Sequence, residues 1–257
     1  MRARRPHPQE VFELFRASLS IGCNKTNEEF VCHPSCERGG KLLFGNYNGS
    51  PIEWYILAND TVHRRFMLLS MDTLGERAFH ERLEPVTWER STIRSWLNGY
   101  GPSENALDRD YTSDNFISQA FTRKEKALIH KTTVVNNGNA DLGMGGTPTK
   151  DYVFLLSVDE LIEYIPEIRQ EWPSHGELGG PASKLCTKLR CKRYSWWWLR
   201  TSIKKYPTTA RYVNHLGAID YTRTGDLRNS VDGYYYPKDG SAIRQCPEVR
   251  PALWLNY

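Results

Sequence analysis

The spacing of hydrophobic and polar positions changes several times along the chain, and each change predicts an element. Near the start, Val11, Leu14, Phe15 and Leu19 share one helical face, which predicts a short amphipathic helix over Val11–Leu19. Glu53–Leu57 (EWYIL) and Phe66–Ser70 (FMLLS) are compact apolar runs that predict strands, with Asn59-Asp60 supplying the turn between them. A helical period follows: Ile93, Trp96 and Leu97 lie behind Ser91, a capping residue type, and ahead of Gly99, which suits a helix stop. Thr122-Arg-Lys-Glu125 and Ser157-Val-Asp-Glu160 are capping boxes. The first precedes Ala127, Leu128 and Ile129, the second Leu161, Ile162 and Tyr164. Tyr152–Leu156 (YVFLL) has the composition of a buried strand, while Asn136–Lys150 and Pro173–Ser183 predict long loops. The last third shows no convincing helix. It offers strands at Trp196–Arg200, Ala210–His215, Gly217–Tyr221 and Val249–Leu255. The sum is an α+β fold with short helices, a mostly antiparallel sheet and long loops.

Composition sharpens this picture. Eight Trp, 14 Tyr and 9 Phe are too many aromatics for a disordered chain, so most of the 257 residues should surround a core. Lys plus Arg number 34 against 30 Asp plus Glu, and a net charge of +4 excludes a polybasic nucleic-acid binder by bulk charge. No apolar run is long enough for a membrane-spanning helix. Met1–Arg5 is basic, but no apolar stretch of signal-peptide length follows it, so the expectation is a cytoplasmic chain as given. A surface or virion location is the variant to keep if an export signal is missing. Residues 1–40 differ from the remainder, ending in Gly39-Gly40, and divide the chain into an N-terminal extension with a cysteine cluster (1–40) and a domain (41–257).

Arg94, Arg200 and Arg250 sit inside apolar strings, where an arginine must find carboxylates or carbonyls because an unpaired buried charge is costly. Trp88, Trp96, Trp197 and Trp254 read as core residues. In order and spacing, a longer set resembles a known family. It runs from Trp54 and Leu68-Leu69-Ser70 through Thr87–Asn98 (TWERSTIRSWLN), Ala120-Phe121, Asp151–Ser157 and Glu160. It continues through Trp197–Ser202 (WWLRTS), Val213 and Gly217 to Val249–Leu255 (VRPALWL). Over roughly 41–257 these residues resemble an uncharacterised bacterial domain, common in Firmicutes and their phages and related to the C-type lectin fold of formylglycine-generating enzymes. The resemblance implies a C-type-lectin-like fold in which N- and C-terminal segments pair and irregular loops cover one face. It implies no reaction, since fold relationship does not transfer function.

Several chemistries compete. A non-catalytic binding module of a bacterium or phage, with an unknown protein or glycan as ligand, fits the polar stretch after Tyr206. There Tyr206, Tyr212, Asn214, His215, Asp220, Tyr221, Arg223, Asp226, Asn229, Tyr234, Tyr235 and Tyr236 combine rigid aromatic area with adaptable hydrogen bonding. In relatives of the lectin fold such positions are diversified by a retroelement, which the resemblance extends to this chain by analogy. A copper-dependent oxidase of the formylglycine-generating type would use the pair Cys186 and Cys191, since thiolates favour Cu(I). Asp220, Asp226, Asp232 and Asp239 suggest a calcium site, but the tripeptide signatures of calcium-dependent lectins are absent. The basic run Lys184, Lys188, Arg190, Lys192 and Arg193 beside three Trp suits nucleic acid, yet no groove-reading helix accompanies it. Cys23, Cys32, His33 and Cys36 offer four zinc ligands, though not as two regular knuckles. The binding module is the expected function, with no resident cofactor.

Overall fold

The apolar runs that open the domain pair into a sheet that the C-terminus completes. The computed structural model describes residues 38–136, 146–165, 189, 196–203, 208–214, 219–223 and 247–257, with side chains left aside at 220–223. Strands β1 (Lys41–Tyr47), β2 (Ser50–Asp60) and β3 (Arg65–Ser70) form an antiparallel meander. The C-terminal strand β11 (Ala252–Asn256) lies beside β3, with Leu253 opposite Leu68. Its far side is shared by β4 (Ile129–His130) and β7 (Val153–Phe154). Two smaller antiparallel sheets join β5 (Thr132–Val134) to β6 (Thr149–Asp151), and β8 (Trp197–Ser202) to β9 (Thr209–Val213) to β10 (Ile219–Arg223). All pairings between these strands are antiparallel, and the helices are short, so the α+β class holds.

Alternation along β2 buries Ile52, Trp54 and Ile56, the last two completely. The β1–β2 register slips at a bulge between Leu43 and Asn46, and Gly45 there adopts a φ of 77°. A Cβ on Gly45 would lie 2.5 Å from the Phe121 ring, so only glycine lets that ring close over the strand.

Helix α1 (Thr92–Asn98) follows the 3-10 turn Trp88–Arg90 and is buried on all sides. Ser91 caps it and Gly99 ends it at a φ of 69°, as the spacing predicts. Helices α2 (Phe116–Ala120), α3 (Arg123–Lys126) and α4 (Val158–Tyr164) are the other α-helices among the described residues, and both capping boxes form at α3 and α4.

The structure corrects several expectations. Asn59 and Asp60 are the last paired residues of β2, and the turn lies at 61–64, where Asp60 Oδ1 accepts from the backbone N–H of His63 at 3.1 Å. Helix α3 stops after four residues because Ile129 is drawn into pairing with β11. Within Tyr152–Leu156 only Val153 and Phe154 are strand, while Leu155 and Leu156 are buried without a ladder. Thr149 and Lys150 belong to β6, not to the loop that composition suggests. Asn115 caps α2 by accepting from Ser118 N–H, an element whose single turn is too brief for periodicity to reveal. Trp88, Trp96 and Trp197 are core residues, whereas Trp254 is half-buried with the Arg65 guanidinium over its ring.

The arginines in apolar strings find acceptors. Arg250 Nη1 donates to the carbonyls of Ser70 and Met71, and Arg200 forks onto Glu160 while donating to the carbonyls of Leu155 and Val135. The predicted helix at Val11–Leu19 and the loop at Pro173–Ser183 lie outside the described residues, as does the extension up to 37. Gly39 and Gly40 already exchange backbone hydrogen bonds with Ile56.

Candidate functional site

Helix α1 carries an arginine where an apolar residue would be expected, and the surroundings of Arg94 explain why. Arg94 is 5% exposed, so its guanidinium must be neutralised and hydrogen-bonded. Arg94 Nε donates to Asp151 Oδ1 at 2.9 Å. Asp151 is fully buried and also accepts from Trp88 Nε1 at 3.0 Å and Thr149 Oγ1 at 2.7 Å, with the Tyr100 hydroxyl oxygen 3.2 Å from its Oδ1. Arg94, Trp88 and Thr149 thus each donate to a carboxylate that has no contact with solvent. Arg94 Nη1 donates to the Glu89 carbonyl at 2.8 Å and to Glu104 Oε2 at 3.3 Å.

Asn98, one turn further on, fixes the relation between α1 and the β6–β7 segment. Its Nδ2 donates to the carbonyls of Arg94 and Val153, and its Oδ1 accepts from the N–H groups of Tyr152 and Val153. Asp151 is therefore placed by backbone clamping as well as by its own ion pair. Tyr100 stacks under the Arg94 guanidinium at 4.9 Å and directs its hydroxyl to the Lys150 carbonyl at 2.7 Å. Burial, reinforced by the negative charge of Asp151, raises the Tyr100 phenol well above its ordinary pKa, so it stays protonated.

Above this knot lies an open polar cleft of about 460 Å³. Arg94 and Tyr100 line it, joined by Glu89 and Glu104 from one stretch of chain and by Lys131 and Lys150 from the β5–β6 sheet. Arg90 also borders it, so four cationic side chains face two carboxylates.

A second buried polar group lies nearby. His80 is completely buried, and its Nδ1 accepts from Thr92 N–H at 3.3 Å, which leaves Nε2 to donate to Glu84 Oε1 at 3.0 Å. Burial lowers its pKa, outweighing the opposing pull of Glu84. No hydroxyl or thiol is hydrogen-bonded to the ring among the described residues, so the pair secures the start of α1 rather than forming a nucleophile relay.

The residues that sequence reasoning selects fall elsewhere. Tyr212 is buried in β9 with its ring stacked on Trp196 at 5.4 Å, and Asn214 follows β9 half-buried. Asp220, Tyr221 and Arg223 lie in β10, opposite Tyr212, Arg211 and Thr209. Tyr206, His215, Asp226, Asn229, Tyr234, Tyr235 and Tyr236 lie outside the described residues. So do Cys23, Cys32, His33, Cys36, Cys186 and Cys191, the other two carboxylates of the calcium suggestion (Asp232 and Asp239), and the basic residues Lys184, Lys188, Arg190, Lys192 and Arg193. Among the described residues no cluster of three or more His, Cys, Asp or Glu side chains has the geometry to hold a metal ion.

Sequence reasoning finds Arg94 but misses its partner. An arginine inside an apolar helix and an aspartate before an apolar strand are the two halves of a buried pair, but 57 residues separate them. Tyr100, Lys131 and Lys150 carry no local signal at all.

No curated protein matches this chain, and no solved structure matches it. A family model does match, over residues 63–257, so its start lies within the β2–β3 turn rather than at residue 41. The buried Arg94–Asp151 pair, the Arg200 and Arg250 anchors and the closing strand β11 all fall within that span, and the chain belongs to the family described as a domain of unknown function (DUF6273).

Proposed function

We propose that the chain is a non-catalytic recognition module of a bacterium or its phage, built on a C-type-lectin-like α+β scaffold, that holds a polar ligand in the Arg94–Tyr100 cleft. The observation that carries this reading is the cleft of about 460 Å³, whose donors are pinned by a buried network. Its volume lies in the range of small-molecule sites. Side chains already locked by Asp151, Asn98 and backbone carbonyls lose little freedom when a ligand arrives, which favours affinity. General acid–base work asks for a group that titrates near the working pH. Asp151 is fully buried and engaged by Arg94, Trp88 and Thr149, and Tyr100 is held protonated, so both suit binding better than proton transfer. Support for the lectin-like scaffold comes from the family resemblance and from the pairing of β11 with β3, which brings the end of the chain beside the opening meander.

The test is a titration of the isotope-labelled chain with glycans and small polar metabolites, followed by amide resonances and by mass spectrometry of the ligand. Resonances of Tyr100, Thr149 and Lys150 should move together while the ligand is recovered unchanged. A chemically altered ligand would overturn the non-catalytic reading. Shifts confined to Tyr212, Asn214 and β10 would move recognition to the other sheet.

A further inference from the structure

We propose that the Lys131–Lys150 wall of the cleft is an oxyanion subsite that takes a carboxylate or phosphate group of the ligand; this rests on the reading of the cleft as the recognition site. The β5–β6 register opposes Thr133 to Lys150 and Thr132 to Asp151. Lys131 and Tyr152 lie just beyond the last pair of that ladder, with Lys131 Nζ 5.2 Å from the Tyr152 ring. With a side-chain period of two, Lys131, Lys150 and Tyr152 therefore share one face, while Thr149 and Asp151 point to the buried one. Burial agrees: Thr149 and Asp151 are buried, and Lys131 and Lys150 are exposed.

Neither lysine has an ion-pair partner among the described residues, although both border a concave site that also contains two other cations. Lys41, on an open strand, shows the ordinary alternative, with Glu53 at 3.8 Å. Lys131 Nζ is held 5.7 Å from the Tyr100 ring and 5.2 Å from the Tyr152 ring, which restricts where its charge can lie. Of the two carboxylates in the cleft, Glu104 is taken up by Arg94. Asp151 balances Arg94 from behind, and Arg90 donates both terminal nitrogens to the carbonyls of Ser103 and Asn105. Glu89 also lines the cleft, so Arg90, Arg94, Lys131 and Lys150 face Glu89, Glu104 and Asp151 with one net positive charge, and Lys131 and Lys150 are the cations there whose ammonium groups make neither an ion pair nor a hydrogen bond among the described residues. Arg94 adds a directional donor, since its Nη2 has no hydrogen-bond partner among the described residues and the side chain lines the cleft. Two ammonium groups beside a fixed guanidinium attract an oxyanion, and their placement on one concave wall concentrates that field.

The experiment titrates the full labelled chain at low salt with sodium phosphate, sodium acetate and glucose, each separately. The amides of Lys131, Thr149 and Lys150 should shift saturably with one or both anions, and the tighter anion identifies the group recognised. Affinity should fall as sodium chloride rises. The double variant K131Q/K150Q should bind at least about tenfold more weakly, whereas Lys124→Gln on α3 should stay within about twofold. An unchanged amide spectrum outside the cleft shows that the double variant is folded. If glucose moves these resonances and neither anion does, the oxyanion assignment falls while the recognition reading stands. If none of the three probes moves them, both fall. Equal anion affinity in chain and double variant would also overturn the assignment to these lysines.

Discussion

Arg94 and Arg200 are the same residue type at nearly the same burial, 5% and 4% exposed, and each meets a carboxylate far away in sequence. Their surroundings differ. Arg200 spends every nitrogen inside the fold, forking onto Glu160 and reaching the carbonyls of Val135 and Leu155, and thereby ties α4 and β8 to the end of β5. Arg94 spends Nε and Nη1, while Nη2 is left at a cleft. The first is a lock and the second is a lock with one face open to ligands. Burial and pairing alone therefore do not separate a structural arginine from a binding one; the count of satisfied donors does.

The sharpest way to break this comparison is to remove each carboxylate. Asp151→Ala removes the buried counter-charge of Arg94 and the acceptor of two further donors, Trp88 Nε1 and Thr149 Oγ1, and should lower unfolding free energy by ~3–5 kcal/mol in urea titration. It should also abolish ligand-induced shifts at Tyr100. Glu160→Ala should lower stability by a smaller ~2–3 kcal/mol, because Glu160 is partly exposed and also accepts from Ser157 N–H in its capping box. Ligand shifts at Tyr100 should survive that change, and their loss would erase the distinction between the two arginines.

A pH titration sharpens the picture from the cleft's own framework. The His80 pKa lies below its unfolded value of 6.5, so the unfolded chain takes up a proton that the folded chain resists. The stability contributed by neutral His80 is complete above pH 6.5 and declines as pH falls below it. Thermal melting should therefore fall between pH 7 and 5, and His80→Asn should flatten that fall. A slope unchanged by the substitution would assign the effect to another group.

Smaller effects come from the helix ends and the rim. Ser91→Ala, which removes the cap of α1, should cost about 1 kcal/mol in urea denaturation. Lys131→Gln and Lys150→Gln should change stability by less than about 0.5 kcal/mol, since neither makes an ion pair among the described residues. A clearly larger loss at either lysine would make it part of the lock rather than of the ligand surface.

Local chemistry made much of the scaffold legible. Ser91 and Gly99 announce α1, and Thr122/Glu125 and Ser157/Glu160 announce α3 and α4, because a cap satisfies backbone donors within four residues. Strands β2, β3, β8, β9, β10 and β11 follow from compact apolar or aromatic runs. The short pieces β4, β5 and β6 escape this reading because two or three residues carry no period. Tyr212 shows the opposite failure: its residue type suits a contact surface, yet stacking on Trp196 buries it.

By itself, then, the sequence determined that this chain folds around aromatic residues as an α+β domain, and that Arg94, Arg200 and Arg250 each needed an acceptor. Those conclusions rest on local capping, on periodicity and on the cost of burying a charge, all of which act without knowledge of partners. Only the tertiary structure decided which acceptor each arginine found, and that Arg94 borders a cleft with Lys131 and Lys150. Pairing of α1 with the β6–β7 segment through Asn98 joins residues more than 50 positions apart, and no pattern within one stretch of chain encodes such a meeting.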